Sequence, residues 1–272
     1  MPAHDELGKR MKEFYEQVPK TRLVRRMPVM IRIDGKAFHT FTRGFQKPFD
    51  DVLIKSMQET MQYLCENIQG CVFGYTQSDE ITLVLVDYKK LTSSAWFDYE
   101  VQKMCSISAS MATMAFNKFF YNNAYDEIMD SKYVTVTQDM KLCREITKYH
   151  NTLAVAIAKG AMFDSRCFNV PKEEVTNFVY WRQLDATRNS IQMVGQANFS
   201  HKELQNKNCN MIQDMLFTQK GINWNDLPVV YKRGSACIKD EEGKWFIDKN
   251  MPILKTTDEA DYRSYVDKLI DF

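Results

Sequence analysis

Short apolar runs that alternate with helical stripes over residues 1–170 constrain the fold of this chain more than any other feature. An apolar run ends in an acid at Asp34, and a stripe of apolar residues three or four positions apart follows it. Two further apolar runs are separated by only four polar residues, which predicts a β-hairpin with a tight loop. The predicted elements are, in order, a strand over 28–34, a helix from Leu53 to Ile68, strands over 71–76 and 81–86, a helix over 98–120 and a strand over 163–170.

The order β-α-β-β-α-β is that of the split βαβ, or ferredoxin-like, arrangement, so the predicted fold class is α+β. In this arrangement the first and third strands are antiparallel neighbours in the centre of the sheet. Asp34, at the end of the first strand, then lies beside the start of the third strand, where Asp79 and Glu80 stand 45 and 46 positions further along the chain. The sequence therefore predicts that three carboxylates converge at one edge of the sheet.

The remaining segments are predicted to elaborate this core. The connection at 121–160 mixes helix-like and strand-like patches and is predicted to be a long insertion in a first domain of residues 1–170. Residues 171–272 are predicted to form a mostly helical region that packs on the first domain. This region includes a hairpin formed by 229–238 and 244–247 and ends in a short helix.

The composition argues against a strongly basic nucleic-acid-binding protein, a disulfide-rich protein and a membrane-spanning protein. Lys and Arg total 36 and Asp and Glu total 35, so a nucleic-acid partner has to be met by a local patch rather than by overall charge. The basic run Lys20, Arg22, Arg25 and Arg26 is one such patch, although runs of this kind are more often solvated surface. The seven cysteines include no C-x-x-C pair, and no apolar run reaches 18 residues, which predicts a soluble cytoplasmic protein with no membrane partner.

The converging carboxylates admit two interpretations. They repel one another unless a cation neutralises them, and Mg²⁺ is suited to this because it prefers oxygen ligands and keeps substrate phosphates in its shell. Two such ions can serve a phosphoryl transfer, with Gly35 letting its backbone approach the metal and Ser78 offering a hydroxyl. Read alone, however, each of the two acidic segments is an ordinary turn or hairpin loop. Positive charge for a triphosphate is available at Lys36, His39 and Lys47.

Six short motifs follow one another along the chain: RIDGKAFHTF (32–41), KPFDD (47–51), YTQSDE (75–80), FDSR (163–166), YWRQLDATRN (180–189) and YKRG (231–234). In order and in spacing they resemble the tRNA-histidine guanylyltransferase family. The family has a polymerase-like palm with a two-metal centre and adds nucleotides to the 5′ end of tRNA in the 3′→5′ direction. The resemblance thus implies two Mg²⁺ ions as cofactors, ATP and GTP or other nucleoside triphosphates as substrates, tRNA as partner, and a homo-oligomer, expected to be a tetramer.

The resemblance also implies roles for individual residues. Asp34, Asp79 and Glu80 would be the catalytic acids; Asp34 and Asp79 would ligate Mg²⁺, Gly35 would add its carbonyl, and Glu80 would support the centre. The nucleotide would be held by Asp34, Gly35, Lys36, Ala37, Phe38, His39, Lys47, Ser78 and Asp79, with Lys47 on triphosphate oxygens. The path of the triphosphate or of the tRNA 5′ end would be lined by Arg32, Arg166, Arg182, Asn189 and Lys232.

Two departures from the family pattern narrow the expected activity. Eukaryotic members have His-Ile-Asn-Asn where this chain has Thr187, Arg188, Asn189 and Ser190, and an Asn is usual where this chain has Ala37. The first departure favours the guanylyltransferase-like branch, which resembles a template-directed repair enzyme for 5′-truncated tRNA. The alternatives are a palm-type nucleotide cyclase, which would not need the basic second region, and a non-catalytic RNA-binding module, which would not need the acids.

Overall fold

Six strands form one sheet in the computed structural model, which describes residues 4–130, 140–255 and 260–271. Their order across the sheet is β4-β1-β3-β2-β5-β6, and every pairing is antiparallel. The strands are β1 (Val29–Gly35), β2 (Cys71–Gln77), β3 (Glu80–Leu85), β4 (Phe163–Asn169), β5 (Ser235–Lys239) and β6 (Trp245–Asp248).

Helices cover both faces of this sheet. None of those in the described ranges is at once long and apolar enough to cross a bilayer. The helices are α1 (His4–Met11), α2 (Phe38–Phe41), α3 (Asp51–Asn67), α4 (Val101–Met129), α5 (Met140–Lys159), α6 (Lys172–Asn198), α7 (His201–Leu204), α8 (Cys209–Lys220), α9 (Val229–Arg233) and α10 (Ala260–Ile270), with a π-helical turn at Lys12–Glu16 and 3₁₀ turns at Trp96–Tyr99 and Trp224–Asp226.

The core lies on the two faces of the central strands, because successive side chains of a strand point in opposite directions. On β1, Ile31 and Ile33 join the cluster formed with α3, α4 and α5. Met30, between Val29 and Ile31, joins a second cluster on the other face with α6 and α10. Since both faces of β1 are buried, it reads in the sequence as a continuous apolar run rather than as an alternating one.

The β2-β3 hairpin is tighter than its four polar residues indicated. Gln77 and Glu80 are the last paired residues, so only Ser78 and Asp79 form the loop. Ser78 has a φ of 51°, a left-handed conformation at a position where two-residue hairpin loops favour Gly or Asn. The loop therefore holds Asp79 at a fixed place beside the end of β1.

The core of the fold is as predicted, whereas some of the segments outside it differ from the prediction. The α+β class, the antiparallel β1-β3 pair and the β-α-β-β-α-β order are confirmed. The helix predicted over 98–120 continues to Met129, and α5 fills most of the rest of 121–160, while the strand-like patch of this connection falls on residues 131–139, outside the described residues.

In the C-terminal part, the strand predicted to begin at 229 is wrong, because residues 229–233 form α9. Pro228 stands at the N-cap of this helix, where the fixed φ of proline favours a helix start despite the β-branched pair that follows. The hairpin itself is present as β5 and β6, and β5 pairs with β2, so it continues the sheet of the core. The division at residue 170 stays a prediction.

Candidate active site

The ends of β1 and β3 bring the predicted acids together at one edge of the sheet. Asp34 pairs directly with Glu80, and the backbone N–H of Gly35 donates to the carbonyl of Asp79 over 3.0 Å. On its other side Asp34 pairs with Asp164 of β4. Two strand ends and one hairpin loop thus place backbone and carboxylate oxygens of distant segments side by side, as the split βαβ order predicts.

Asp34 and Asp79 differ in their surroundings. The side chain of Asp34 is 32% exposed, with the nearest guanidinium nitrogens of Arg32 and Arg166 at 3.6 and 3.9 Å. The Asp79 carboxylate accepts a hydrogen bond from the Ser78 hydroxyl at 3.0 Å. Burial raises the pKa of Asp79, with a further contribution from the charge of Asp34. A cation between the two carboxylates would remove this electrostatic cost.

These donors fit Mg²⁺ better than a transition metal. All are oxygens, the ligands that Mg²⁺ prefers. Among the described residues no group of three or more His, Cys, Asp and Glu side chains could hold a metal ion, so protein side chains alone do not complete a site here. An ion between Asp34 and Asp79 would therefore complete its shell with the Gly35 carbonyl, waters and substrate oxygens. Mg²⁺ is commonly bound in this way, by one or two carboxylates and the phosphates of its substrate.

Glu80 serves a different purpose from its two neighbours. Arg32 donates to its Oε2 from Nε at 2.9 Å and forms an ion pair with it through Nη2 at 2.8 Å. Arg182 donates to its Oε1 from Nε at 2.7 Å. Burial raises the pKa of Glu80, and the guanidinium groups of Arg182 and Arg32 oppose this shift. Because both oxygens are engaged, Glu80 ties β1 and α6 to the start of β3, directly after Asp79.

A cavity of about 470 Å³ opens beside this edge and holds most of the predicted nucleotide-binding residues. Lys36 is exposed and not among the lining residues; its backbone N–H donates to the Met162 carbonyl at 2.8 Å. Asp34 lies next to the lining residue Gly35. The predicted residues in the lining are Gly35, Ala37, Phe38, His39, Lys47, Ser78 and Asp79. The residues that sequence reasoning did not assign are Thr42, Phe45, Gln46, Pro48, Asp50, Leu53 and Met193.

Packing, as well as access to the backbone, explains the glycine after Asp34. A Cβ at Gly35 would lie 2.2 Å from Cδ2 of Phe38. The Phe38 ring is fixed by Phe41, Phe116 and Phe163, whose centroids lie 5.1 to 5.6 Å away. The turn between Gly35 and α2 is thus closed by an aromatic cluster that tolerates no side chain at position 35.

Asp50 is the most notable lining residue that the sequence analysis missed. It is buried at the N-cap of α3, where it accepts from the N–H of Leu53 at 2.9 Å, from the N–H of Gln46 at 3.0 Å and from the Tyr149 hydroxyl at 2.9 Å. Burial raises its pKa. An Asp directly before an apolar helical stripe is an N-cap signal, so the sequence held a sign of this role.

The residues predicted to line the triphosphate or tRNA path do not form one surface. Arg32, Arg166 and Arg182 surround the carboxylates of the sheet edge. Asn189 lines a small cavity of about 90 Å³ that shares Asp50 and Ser78 with the larger one. Lys232 is buried elsewhere, with its Nζ donating to the Asn225 carbonyl and lying 5.6 Å from the centroid of the Trp224 ring. Their contacts with substrate stay predictions.

A comparison with known protein families decides the relationship. The model of the family described as "tRNAHis guanylyltransferase" matches residues 8–171, which is more than half of the chain. The chain belongs to this family. The resemblance read from the six motifs is confirmed, and the protein is a nucleotidyltransferase with the palm-like α+β fold of its relatives.

Individual relatives place the chain within the family. A bacterial tRNA(His) guanylyltransferase (Thg1)-like protein in complex with ATP is 41% identical with a TM-score of 0.77, over 97% of this chain and 99% of that one. A bacterial Thg1-like protein in complex with GTP is 37% identical with a TM-score of 0.73, over 98% and 100% of the two chains. The tRNA(His) guanylyltransferase of Saccharomyces cerevisiae is 25% identical over 228 residues, 79% of this chain and 83% of the yeast protein. The chain is thus more similar to the Thg1-like proteins.

Proposed function

We propose that this protein adds nucleotides to the 5′ end of tRNA in the 3′→5′ direction and that its task is the template-directed repair of 5′-truncated tRNA. The observation that carries the proposal is that Asp34 lies close to Asp79, beside a cavity lined by Asp79 and by residues that follow β1. Relatives captured with ATP and with GTP support nucleoside triphosphates as substrates, and the name of the family supports tRNA.

Asp34, Asp79 and the Gly35 carbonyl are the groups that would hold two Mg²⁺ ions in this proposal. Bound there, Mg²⁺ supplies positive charge that stabilises negative charge developing on phosphoryl oxygens. Glu80 is not a ligand in this scheme, since both its oxygens are held by arginines. It keeps the start of β3, and with it Asp79, in place. Lys36, His39 and Lys47, all exposed around the cavity, attract the triphosphate.

The proposed reaction has two steps. An oxygen of the tRNA 5′-phosphate attacks the α-phosphorus of ATP or GTP, and a new phosphoanhydride forms as pyrophosphate leaves. The 3′-oxygen of the incoming nucleoside triphosphate then attacks the tRNA 5′-phosphorus, its proton is released, and the nucleoside monophosphate leaves as the new phosphodiester forms. Where the tRNA already ends in a triphosphate, the first step is unnecessary and pyrophosphate leaves in the second.

The departure of residues 187–190 from the His-Ile-Asn-Asn of eukaryotic family members favours repair over the addition of one guanosine to histidine tRNA. Thr187 donates to the Gln183 carbonyl, Arg188 pairs with Asp185, and the hydroxyl of Ser190 accepts from Trp224 Nε1 at 3.0 Å. Within this segment, Asn189 and Ser190 line the small cavity near the hairpin loop. Base pairing with the tRNA strand then selects the nucleotide, and the protein reads RNA shape and backbone.

The proposal extends to assembly and location. An exposed apolar stripe on α4, formed by Met114, Tyr121, Tyr125 and Met129, supports a homo-oligomer, expected to be a tetramer. Light scattering tests this, and a purely monomeric active enzyme would contradict it. None of the seven cysteines forms a disulfide, which supports the reducing cytoplasm as the place of action.

The decisive substrates are three tRNAs: one lacking its first 5′ nucleotide, the matched full-length tRNA, and a histidine tRNA without its extra guanosine. With Mg²⁺, ATP and labelled nucleoside triphosphates, we expect the truncated tRNA to gain the nucleotide complementary to its template base. Guanosine addition to histidine tRNA alone would contradict the repair role. Cyclic nucleotide formed without tRNA, and no tRNA extension, would refute the whole proposal and indicate a cyclase.

A further inference from the structure

The cavity beside Asp79 is called the nucleotide cavity from here on, after its proposed ligand. A second and larger concavity lies on the far side of α2 from it. This groove runs between α5 and the segment that follows β1, and its volume is about 760 Å³. The buried side chains of Phe41 and Ala156 give it an apolar floor, and the exposed Val155 adds apolar surface. Its lining residues are Thr40, Phe41, Arg43, Cys143, Arg144, Thr147, Lys148, Asn151, Thr152, Val155, Ala156 and Lys159.

The charge of this groove has one sign. Its lining includes Arg43, Arg144, Lys148 and Lys159 but no Asp or Glu, and all four cations are exposed. In the described part of the chain, none of the four takes part in an ion pair of 4.0 Å or less.

The basic run near the N-terminus contrasts with this groove. Of its four cations, Lys20, Arg22 and Arg25 pair with Glu16, Asp98 and Asp87, and Arg26 takes part in no ion pair among the described residues. Those paired cations are neutralised by carboxylates of the same chain, so they form an ordinary solvated surface. The cations of the groove lack such a counter-charge among the described residues.

The spacing of the cations along α5 turns the charge into a stripe. Arg144 and Lys148 are four residues apart and Lys159 lies eleven further on, which places them on one face of the helix. Like charges one turn apart destabilise a helix. From Arg144 to Lys159 the stripe spans about 22 Å along the helix axis, enough to meet several phosphates of one RNA strand.

The groove and the nucleotide cavity share a wall. The segment 37–45 presents Ala37, Phe38 and His39 to the cavity but Thr40, Phe41 and Arg43 to the groove. Packing also joins this segment to α5, since a Cβ on Gly44 would lie 3.2 Å from Cγ2 of Thr152. Only this segment therefore separates the stripe from the cavity beside Asp34.

We propose that this groove binds the phosphate backbone of the tRNA acceptor stem, next to the 5′ end at which nucleotides are added. The inference rests on the proposed function, because it takes tRNA as the substrate. Unpaired cations on a helix match the regular phosphates of an RNA strand, and such contacts position an RNA without reading its sequence. The apolar floor faces the sugars of the same strand.

The test compares Arg144→Gln/Lys148→Gln with the matched control Lys244→Gln/Lys249→Gln, which removes two exposed lysines near the β5-β6 hairpin. The probes are a tRNA lacking its first 5′ nucleotide and a minihelix of its acceptor stem, and fluorescence anisotropy gives the Kd over a range of salt concentrations. For the groove variant we expect a salt slope lower by about two and binding about tenfold or more weaker, equally for both RNAs. The control should bind as the unchanged protein does.

Four results would overturn the groove assignment. They are an unchanged Kd and salt slope, a loss seen with tRNA but not with the minihelix, an equal loss of ATP affinity, and a change of oligomeric state in the variant. The last would indicate that a second copy of the chain occupies the groove. A protein that binds both RNAs through the stripe but adds no nucleotide would refute the proposed function and leave the groove assignment standing.

Discussion

Arg182 offers the sharpest test of how α6 supports the sheet edge that carries Asp34 and Asp79. Its guanidinium joins α6 to β3 through Glu80 Oε1 at 2.7 Å and also pairs with Asp185 at 2.7 Å. The side chains of Arg182 and Glu80 are only 6% and 5% exposed, so water cannot replace the lost partner. The substitution Arg182→Met keeps the aliphatic stem and removes only the charged head.

The loss of folding free energy in Arg182→Met depends on the partners that Glu80 and Asp185 keep. Removing one member of a buried ion pair costs about 3–5 kcal/mol, because it leaves an uncompensated buried charge. Glu80 keeps Arg32 and Asp185 keeps Arg188, so we expect the lower end, about 3 kcal/mol. Arg188→Met is the matched control, since Arg188 is 61% exposed and an exposed pair contributes about 0–1 kcal/mol.

Urea denaturation followed by circular dichroism measures the free energy of unfolding of both variants. With a urea dependence of about 3 kcal/mol per molar, the Arg182→Met midpoint should fall by about 1 M, and that of Arg188→Met by far less. In the double variant with Glu80→Gln the two losses should not add, giving a coupling above about 1 kcal/mol. Equal midpoints for Arg182→Met and Arg188→Met, or strictly additive losses, would refute the view that Glu80 is braced from α6.

Three further predictions concern the walls of the nucleotide cavity. Gly35→Ala forces a Cβ into the Phe38 ring and should lower the free energy of unfolding by about 1–3 kcal/mol. Gly8→Ala is the control and should not destabilise the fold, because a Cβ at Gly8 has no atom within 4 Å; similar urea midpoints for the two variants would contradict this. Ala37 has a φ of 54°, so Ala37→Gly should stabilise the fold by about 1 kcal/mol, and an unchanged or lower midpoint would show that the left-handed conformation carries no strain. Burial raises the pKa of Asp50 above its unfolded value, so its carboxyl favours folding more at low pH, and this advantage is lost as pH rises through the raised pKa. The stability of the unchanged protein relative to Asp50→Asn should therefore increase as the pH falls from 7 to about 4, and parallel pH curves would contradict it.

The core of the fold was predictable because its signals are local and periodic. The helical stripe from Leu53 to Ile68 became α3, and the apolar runs became β1 to β4. Once the order of elements was known, the neighbours in the sheet followed from topology, and with them the meeting of Asp34 and Asp79.

The errors arise where tertiary contacts outweigh local preference. Tyr121, Asn122 and Asn123 are poor helix formers, yet α4 continues through them because Asn123 is buried and donates to Ser56 and Glu59 of α3. The sequence signals the N-cap role of Asp50 but not its place in the cavity wall. That place also involves a contact with Tyr149, 99 residues away. The groove was missed for a similar reason, since Arg43 lies far in sequence from the cations of α5.

Asp34 and Asp79 are proposed to form the centre of 5′ nucleotide addition, and the decisive measurement is single-turnover transfer of a labelled nucleotide to 5′-truncated tRNA. Asp164→Asn is the matched control, because Asp164 pairs with Asp34 across the sheet but its side chain is 57% exposed beside Arg166. We predict that Asp34→Asn and Asp79→Asn each slow transfer by about a thousandfold or more while Asp164→Asn stays near the original rate. Transfer at the original rate by either Asp34→Asn or Asp79→Asn would contradict the account.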